Sequence, residues 1–267
     1  MSTVFFKRRN FFYSTCALVF GLGLWQLTAV LIQATRGVPF PTPWDCFLGL
    51  MQLLGGAKFL GHSIYQHITA SFQRWSAGFF IALAGGMIYA GVAVCIPWFK
   101  TITKPTVEVL QLIPGLAWVP VVILMFGLNA AATVAIITLT TFPIIAVSAS
   151  MGFGSVPSSY IQVGRMCGYG LWGLFRTVYI PCALPHLLSG LRIALGSSWR
   201  VLVAAEMVVG AGNGLGYAII QSRWTMDYVA AFVCIIIIAV IGLAIERLLL
   251  APLERRVKRY WRTGHAE

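Results

Sequence analysis

Charged residues are scarce in this chain, and acidic residues are the scarcest. Only 10% of its 267 residues are charged, with 7 Asp and Glu against 19 Lys and Arg. A soluble domain usually has about 25% charged residues, whereas the mean hydropathy of this chain is +0.85. The composition therefore excludes an ordinary soluble domain. It predicts an all-α polytopic membrane protein, because a helix satisfies its own backbone hydrogen bonds inside the bilayer.

Several kinds of functional site are also missing from the sequence. The four histidines do not pair at the spacing of metal ligands, and the six cysteines show no metal or disulfide framework. The glycine-rich stretch VVGAGNGLGYA lacks the strand context and the spacing of a dinucleotide site, so it is interpreted as a turn. No Ser/His or His/Asp/Glu constellation falls within the apolar runs. We expect no metal, no cofactor, no catalytic residue and no nucleic-acid partner on this chain.

Long uncharged runs dominate what is present. A spanning helix needs roughly 20 apolar residues, and the 56-residue uncharged run Val109–Gly164 is long enough for two, with a turn near Gly127. A later apolar segment is long enough to span although it contains Arg192, Arg200 and Glu206. The sequence thus predicts six spanning helices, over residues 11–33, 75–98, 107–127, 130–151, 187–210 and 228–250.

The distribution of Lys and Arg predicts how these helices are oriented. Loops rich in Lys and Arg stay in the cytoplasm, and cytoplasmic termini place 12 basic residues on that side against 4 on the other. We therefore expect a cytoplasmic N-terminus and a first helix that is retained in the bilayer. The expected segments are the N-terminus 1–10, the first helix 11–33, an extracytoplasmic loop with an interfacial helix 34–74, a five-span core 75–250 and a basic cytoplasmic tail 251–267.

Prolines and polar residues within the spans indicate a translocation pathway. Pro114 and Pro120 interrupt the third span, which we predict to be one kinked helix that lines the path. A kink that serves helix packing alone is the alternative. A charge within a span is costly unless it is paired or faces a polar cavity. Two alternatives therefore stay open for Arg200, a place in the pathway or an internal ion pair with Glu206. The candidate path residues are Gln111, Pro114, Trp118, Pro120, Ser197, Ser198, Arg200 and Glu206.

The loop between the fourth and fifth spans, residues 151–186, is too polar to cross a bilayer and too apolar for an ordinary loop. Two short helices are expected, Ser158–Met166 and Leu171–Tyr179, with a glycine hinge between them. Pro181 and Pro185 are expected to end the second helix and to start the fifth span. A helix pair resting on lipid is the alternative, but it would need more basic residues. The apolar surface of a docking site would come from Tyr160, Trp172, Leu174 and Phe175.

This loop resembles the cytoplasmic motif of bacterial ABC importer permeases, which is Glu-Ala-Ala, three residues, Gly, nine residues and Ile-x-Leu-Pro. The chain has Gly168, nine residues and then VYIP, whereas QVG at 162–164 departs from the triplet at all three positions. The stretches YIPCALPHLLSGLRIALGSSWRVLVAAEM and LQLIPGLAWVPVVILMFG resemble the fifth and third spans of the nitrate/sulfonate/taurine group. The similarity covers the chain from about Phe40 to Tyr260.

The resemblance implies the permease subunit of a type I ABC importer in a bacterial or archaeal inner membrane. The implied partners are a second copy of the chain, two ATPase subunits that hold ATP and Mg²⁺, and an extracytoplasmic substrate-binding protein. Residues 158–180 would then form the coupling region. The implied ATPase contacts are Gln162, Val163, Gly164, Arg165, Met166, Gly168, Leu171, Trp172, Phe175, Arg176 and Pro181.

The same resemblance implies the kind of cargo and the mode of transport. The solute would be small, such as nitrate, a sulfonate, taurine or bicarbonate, and it would move by alternating access. An anionic cargo would give Arg200 a direct role in lowering the barrier to passage. The rival hypothesis is a secondary carrier or channel component that works without an ATPase. Such a protein would need coupling-ion residues and usually internal repeats, neither of which is evident in the sequence.

Overall fold

The computed structural model describes residues 2–37 and 39–252 and is helical almost throughout. Its helices are α1 (Ser2–Arg36), α2 (Pro43–Leu54), α3 (Ile64–Cys95), α4 (Pro97–Leu112), α5 (Val119–Phe126), α6 (Ala130–Gly154), α7 (Ser158–Met166), α8 (Leu171–Leu174), α9 (Ile180–Val209), α10 (Leu215–Thr225) and α11 (Tyr228–Ala244). A 3₁₀ turn, Gly115–Trp118, precedes α5, and π-helical turns, Phe175–Tyr179 and Ile245–Leu250, follow α8 and α11. One short antiparallel hairpin pairs Lys58–Phe59 with His62–Ser63.

The prediction of an all-α polytopic membrane protein is confirmed. Among the residues that the structure describes, five helical segments are long and apolar enough to cross a membrane, and a sixth is obtained if one bent pair counts as a single span. The five segments are Thr15–Arg36, Ile64–Cys95, Ala130–Gly154, Leu171–Val209 and Tyr228–Leu248.

The third span is not the single kinked helix that was predicted for residues 107–127. α4 ends at Leu112, and the chain bends by 102° between α4 and the segment Gly115–Phe126. Ile113 is extended, with ψ 120°, and Pro114 has ψ 140°. A residue before proline is driven out of the helical region, and proline has no N–H to continue the helix. The proline therefore breaks this span, where the sequence suggested only a kink.

The second span starts earlier than the sequence predicted. α3 begins at Ile64, whereas the predicted boundary was residue 75, so the helix includes His67, Ser71 and Arg74. All three side chains are buried, with Arg74 only 8% exposed. The sequence placed the boundary at Arg74 because an unpaired charge is costly inside a span. The structure gives that charge a partner, which is described below.

The described residues form two compact units, one made of residues up to Tyr65 with Ala218–Ile237, the other of Gln66–Tyr217 with the residues from Ile238 on. In the first unit the indole of Trp25 stacks on Phe232, with ring centroids 5.6 Å apart.

The first unit also contains the helix that was expected in the outer loop, α2. Thr42 and Asp45 cap its N-terminus reciprocally. The backbone N–H of Asp45 donates to Thr42 Oγ1 at 3.2 Å, and that of Thr42 donates to Asp45 Oδ2 at 3.0 Å. The Thr42 hydroxyl donates to the same carboxylate at 2.7 Å, and these hydrogen bonds lower the pKa of Asp45 below its ordinary value.

In the second unit α6 lies at the centre and packs closely on α3 and α9. A Cβ on Gly78 of α3 would lie 2.8 Å from Ile137 Cβ, and one on Gly190 of α9 would lie 2.2 Å from Ser148 Cβ. Small residues let helix backbones approach, and this packing replaces the hydrophobic driving force that lipid does not supply. The fifth span is thereby held against the fourth.

Candidate functional site

Residues 158–180, for which the resemblance implies a coupling role, are called the coupling segment below. They begin with α7, whose limits Ser158–Met166 are those predicted. α7 ends in a Schellman turn. The N–H of Tyr169 donates to the carbonyl of Gly164 at 3.1 Å, and that of Gly168 donates to the carbonyl of Arg165 at 3.0 Å. This turn requires a left-handed residue, and Gly168 has φ +79°. The glycine of the family motif therefore sets the direction in which the chain leaves α7.

The inner face of α7 packs against the start of the next helix. A Cβ on Gly164 would lie 2.6 Å from Leu174 Cδ2 and 3.3 Å from Val178 Cγ2. Leu174 is only 4% exposed, so the expectation that it forms part of an exposed docking surface was wrong. Gly164 is itself buried, unlike the other ATPase contacts predicted on α7, and its lack of a side chain is what lets Leu174 lie beneath this helix.

The outer face of the coupling segment is exposed, including two of the four residues expected to form the docking surface, Tyr160 and Trp172. The exposed fractions are 87% for Met166, 78% for Trp172 and 75% for Leu171. The other predicted contact residues that are exposed are Gln162, Val163, Arg165, Gly168 and Arg176 and, just after the segment, Pro181.

Phe175 differs from the exposed residue that the sequence predicted. Its ring meets that of Phe153 in α6 edge to face, with centroids 4.9 Å apart, and lies 5.6 Å from Tyr179. A Cβ on Gly91 of α3 would lie 3.3 Å from Phe175 Cζ. Phe175 is half-buried and connects the coupling segment to two membrane helices.

The predicted helix stop at Pro181 was also wrong. α8 continues through the π-helical turn into α9, so that Leu171–Val209 is one helical segment. Pro181 follows the π-helical turn at once and lies inside this continuous segment, although proline supplies no N–H to the helix. π-helical turns occur often at functional sites. The coupling segment is thus continuous with the fifth span.

The path residues predicted on the third span lie at its break. Gln111, Pro114 and Pro120 are exposed. Trp118 is half-buried, and its Nε1 is buried without a hydrogen-bond partner in residues 2–37 and 39–252. A Cβ on Gly115 would lie 2.9 Å from Thr140 Cγ2 and 3.2 Å from Val201 Cγ2, so the break adjoins α6 and α9.

The path residues predicted on the fifth span fall into two environments. Ser198 is fully buried and accepts a hydrogen bond from Trp75 Nε1 at 2.9 Å, whereas Ser197 is half-buried. Arg200 is exposed and lines a cavity of about 530 Å³ together with Arg192 and Glu246. Arg192 and Glu246 form an ion pair at 2.6 Å. Within the described part of the chain, Arg200 has no carboxylate within 4.0 Å.

The alternative ion pair between Arg200 and Glu206 is not formed. Arg74 of α3 takes that place, with its guanidinium 2.8 Å from Glu206 Oε1. The Ser71 hydroxyl donates to the same carboxylate at 2.8 Å, and the N–H of Gly216 donates at 3.0 Å. Glu206 is only 1% exposed, and these contacts supply the ion pair and hydrogen bonds that a buried carboxylate needs.

The glycine-rich stretch, interpreted as a turn, closes over this carboxylate. Gly214 has φ +124°, and a Cβ there would lie 2.5 Å from Glu206 Oε1. Arg74 also donates to the carbonyl of Asn213 at 2.7 Å, and His67 Nδ1 lies 3.1 Å from the Gly214 nitrogen. These contacts define the Glu206 cluster, made of His67, Ser71, Arg74, Glu206 and residues 213–216.

Sequence reasoning missed this cluster, although a signal was available. His67, Ser71 and Arg74 follow one another at spacings of four and three residues, which places them on one face of a helix. A polar stripe of this kind at the start of an apolar segment indicates a buried polar partner elsewhere in the chain.

The chain has relatives whose similarity extends over most of its length. Residues 82–259 match the family of binding-protein-dependent transport system inner membrane components. The taurine transport system permease protein TauC of Escherichia coli (strain K12) is 31% identical over 237 residues, which cover 88% of this chain and 85% of that protein. The nitrate import permease protein NrtB of Leptolyngbya laminosa is 28% identical over 235 residues, covering 85% and 81%.

The fold has counterparts among solved structures. The crystal structure of a bacterial ABC transporter involved in the import of the acidic polysaccharide alginate aligns with a TM-score of 0.62 at 12% identity, over 95% of this chain and 96% of that one. The chain belongs to the binding-protein-dependent transport system inner membrane components, as an ABC importer permease of the nitrate, sulfonate and taurine type.

Proposed function

We propose that the chain is the membrane-spanning subunit of an ATP-driven importer with both termini in the cytoplasm. In this assembly it pairs with a second copy, two ATPase subunits that bind ATP and Mg²⁺, and an extracytoplasmic substrate-binding protein. The observation that carries the proposal is the coupling segment. One of its faces is exposed, and its C-terminal end continues directly into a spanning helix.

The exposed face has the composition of a protein contact. Met166, Leu171 and Trp172 each expose three quarters or more of their surface, and Arg165 and Arg176 are exposed beside them. Trp, Met and Arg are enriched in protein interfaces, and clustered exposed apolar side chains mark interaction sites. This face is therefore where we place the ATPase.

The inner face offers a route by which ATPase movement reaches the pathway. A displacement of α7 acts on Leu174 through its contact at Gly164, and the helix continues from Leu171 to Val209 without a break. Phe175 transmits the same displacement to α6 through Phe153. Packed interiors have low compressibility, so these contacts transmit movement. The π-helical turn is the point at which α8 and α9 adjust.

We propose a small solute with an oxyanion group as the cargo. Arg200 lies well inside the fifth span and lines the cavity between α9 and residues 238–246. An arginine at this depth is costly unless it is paired or faces a polar cavity, and Arg200 lacks an ion pair in the described residues. The relatives named for nitrate and taurine handle solutes of this class. Nitrate, a sulfonate, taurine and bicarbonate are the candidates.

Co-purification of the ATPase tests the coupling segment. We expect wild type in mild detergent to retain an ATPase and Gly168→Val to lose it, because valine cannot adopt the backbone conformation that ends α7. Gly127→Val is the matched control, since Gly127 has φ +75° and equally open surroundings but lies outside the segment. Folded wild type without an ATPase, or equal retention by both variants, would contradict the proposal.

Uptake in reconstituted vesicles tests the role of Arg200. Arg200→Gln should lower uptake of the anion at least about tenfold, the loss of roughly 1.4 kcal/mol of stabilisation, whereas Arg200→Lys should retain part of it. Arg223→Gln removes an exposed charge from α10 and serves as the control. Normal transport by Arg200→Gln would exclude a direct role for this residue.

A further inference from the structure

A second cavity, of about 620 Å³, opens between α3, α4, α6 and α9 and has no part in the proposed transport path. It lies at the end of α6 from which the chain continues into the coupling segment, since Gly154 is both the last residue of α6 and part of its lining. Its lining residues from the four helices include Tyr89, Lys100, Lys104, Glu108, Ser150 and His186.

The charges that line this cavity are not balanced. Lys104 lies 3.6 Å from Glu108, whereas Lys100 has no ion pair in the described part of the chain. Two lysines and one glutamate leave a formal charge of +1, before His186 is counted. Lys100 Nζ lies 3.7 Å from the position of a Cβ on Gly154, over the last turn of α6. A cation there is favoured by the helix dipole, which accounts for its position.

A hydroxyl group in the same lining also lacks a partner. Ser150 Oγ is buried and has no hydrogen-bond partner in residues 2–37 and 39–252. Buried polar groups in native proteins are nearly always hydrogen-bonded, so an oxyanion that reaches this wall of the cavity would supply the partner that Ser150 lacks. Val107, Val147 and Met151 supply apolar walls. The cavity therefore offers cationic and hydroxyl donors beside apolar surface, which suits an oxyanion carried on an apolar body.

We propose that this cavity binds the phosphate oxyanion of an anionic phospholipid headgroup. Lys100 would be its main cationic contact, Ser150 and His186 would be further donors, and the apolar walls would lie against the upper part of the acyl chains. Basic pockets between spanning helices are known to hold such headgroups. Free phosphate shares the same oxyanion chemistry, so the experiment separates the two sources. The proposal goes beyond the transport function and does not depend on it.

Native mass spectrometry of the purified full chain measures its apparent affinity for the phospholipid directly. Wild type would be titrated with phosphatidylglycerol, with zwitterionic phosphatidylcholine and with inorganic phosphate. Lys100→Gln removes the unpaired cation, and Gly154→Leu keeps every charge but occupies part of the cavity beside Lys100. Lys58→Gln makes the same charge change at an exposed residue that is not part of the cavity lining and is the control. Thermal unfolding of each variant confirms that it is folded before binding is compared.

We expect wild type to prefer phosphatidylglycerol to phosphatidylcholine, and Lys100→Gln to bind it about fivefold more weakly, the equivalent of about 1 kcal/mol for one basic residue near an anionic surface. Gly154→Leu should weaken binding at least as much, and Lys58→Gln should not. Displacement of the lipid by millimolar phosphate would identify a general oxyanion site, and no displacement would identify the headgroup as the source. Equal binding of both lipids, or equal losses in Lys100→Gln and Lys58→Gln, would overturn the proposal.

Discussion

The Glu206 cluster and the coupling segment treat their charged side chains in opposite ways. In the cluster Glu206 and Arg74 are 1% and 8% exposed, and each charge has several partners. In the coupling segment Arg165 and Arg176 are exposed and have no ion pair within the part of the chain that the structure describes. The first arrangement satisfies its charges within one chain, whereas the second leaves hydrogen-bond donors and apolar side chains exposed. Mutations in the Glu206 cluster should therefore lower mainly the free energy of unfolding. Mutations on the exposed face of the coupling segment should weaken mainly the binding of the proposed ATPase.

The largest effect is expected from Glu206→Leu, which leaves Arg74 as an uncompensated buried charge. Breaking one partner of a buried ion pair costs about 3–5 kcal/mol of unfolding free energy. Detergent-induced unfolding of the purified chain measures it. The double variant Arg74→Met with Glu206→Leu should recover most of the loss, because it removes both charges. A loss below about 1 kcal/mol, the size typical of an exposed pair, would show that Arg74 reaches water.

The next largest effect is expected where the coupling segment meets the bundle. Gly164→Val places a side chain 2.6 Å from Leu174 Cδ2, and such overpacking costs about 1–3 kcal/mol. The unfolding free energy and the retention of the ATPase should both fall. Leu174→Ala in the same chain should restore part of the ATPase retention, because it makes room for the valine. No restoration would show that Gly164 does not act through its contact with Leu174.

Asp45 is hydrogen-bonded like Glu206 but is exposed. Its substitution therefore separates the contribution of hydrogen bonding to stability from that of burial. Asp45→Asn should cost about 0.3–1 kcal/mol of unfolding free energy, the usual contribution of an exposed carboxylate near a helix N-terminus. Because Thr42 lowers the pKa of Asp45 in the folded state, this contribution is full above the unfolded pKa, near 4, and is lost as the pH falls through the folded pKa. Unfolding of wild type and variant between neutral and acid pH should therefore converge. Thr42→Val is expected to reproduce the change.

The smallest effect on stability is expected from Trp172→Ala on the exposed face. Its unfolding free energy should stay within about 0.5 kcal/mol of wild type, while ATPase retention falls at least about tenfold, as for an interface hot spot. Trp98→Ala is the matched control, because Trp98 is 67% exposed on α4 but outside the coupling segment. Equal ATPase retention by the two variants would show that the exposed face of the coupling segment does not bind the ATPase.

Most of the spanning helices were predictable from sequence, and so were the limits of α7. Hydropathy requires only a count of apolar residues along the chain, and the end of α7 depends on Gly168, a local backbone requirement. The family motif adds the spacing from that glycine to Pro181. These features are local in sequence, so no knowledge of distant contacts was needed to find them.

The remaining features were decided by tertiary structure, because each depends on residues that are distant in sequence. Arg74 is 132 residues from Glu206, and only the folded chain shows that the pair excludes Arg200. The close approach of Gly115 to α6 and α9 beside the broken span is likewise a contact between residues distant in sequence. The burial of Phe175 depends on Phe153 and Gly91. The sequence by itself determines which segments enter the membrane, and packing between those segments determines which polar and aromatic side chains are left for a partner.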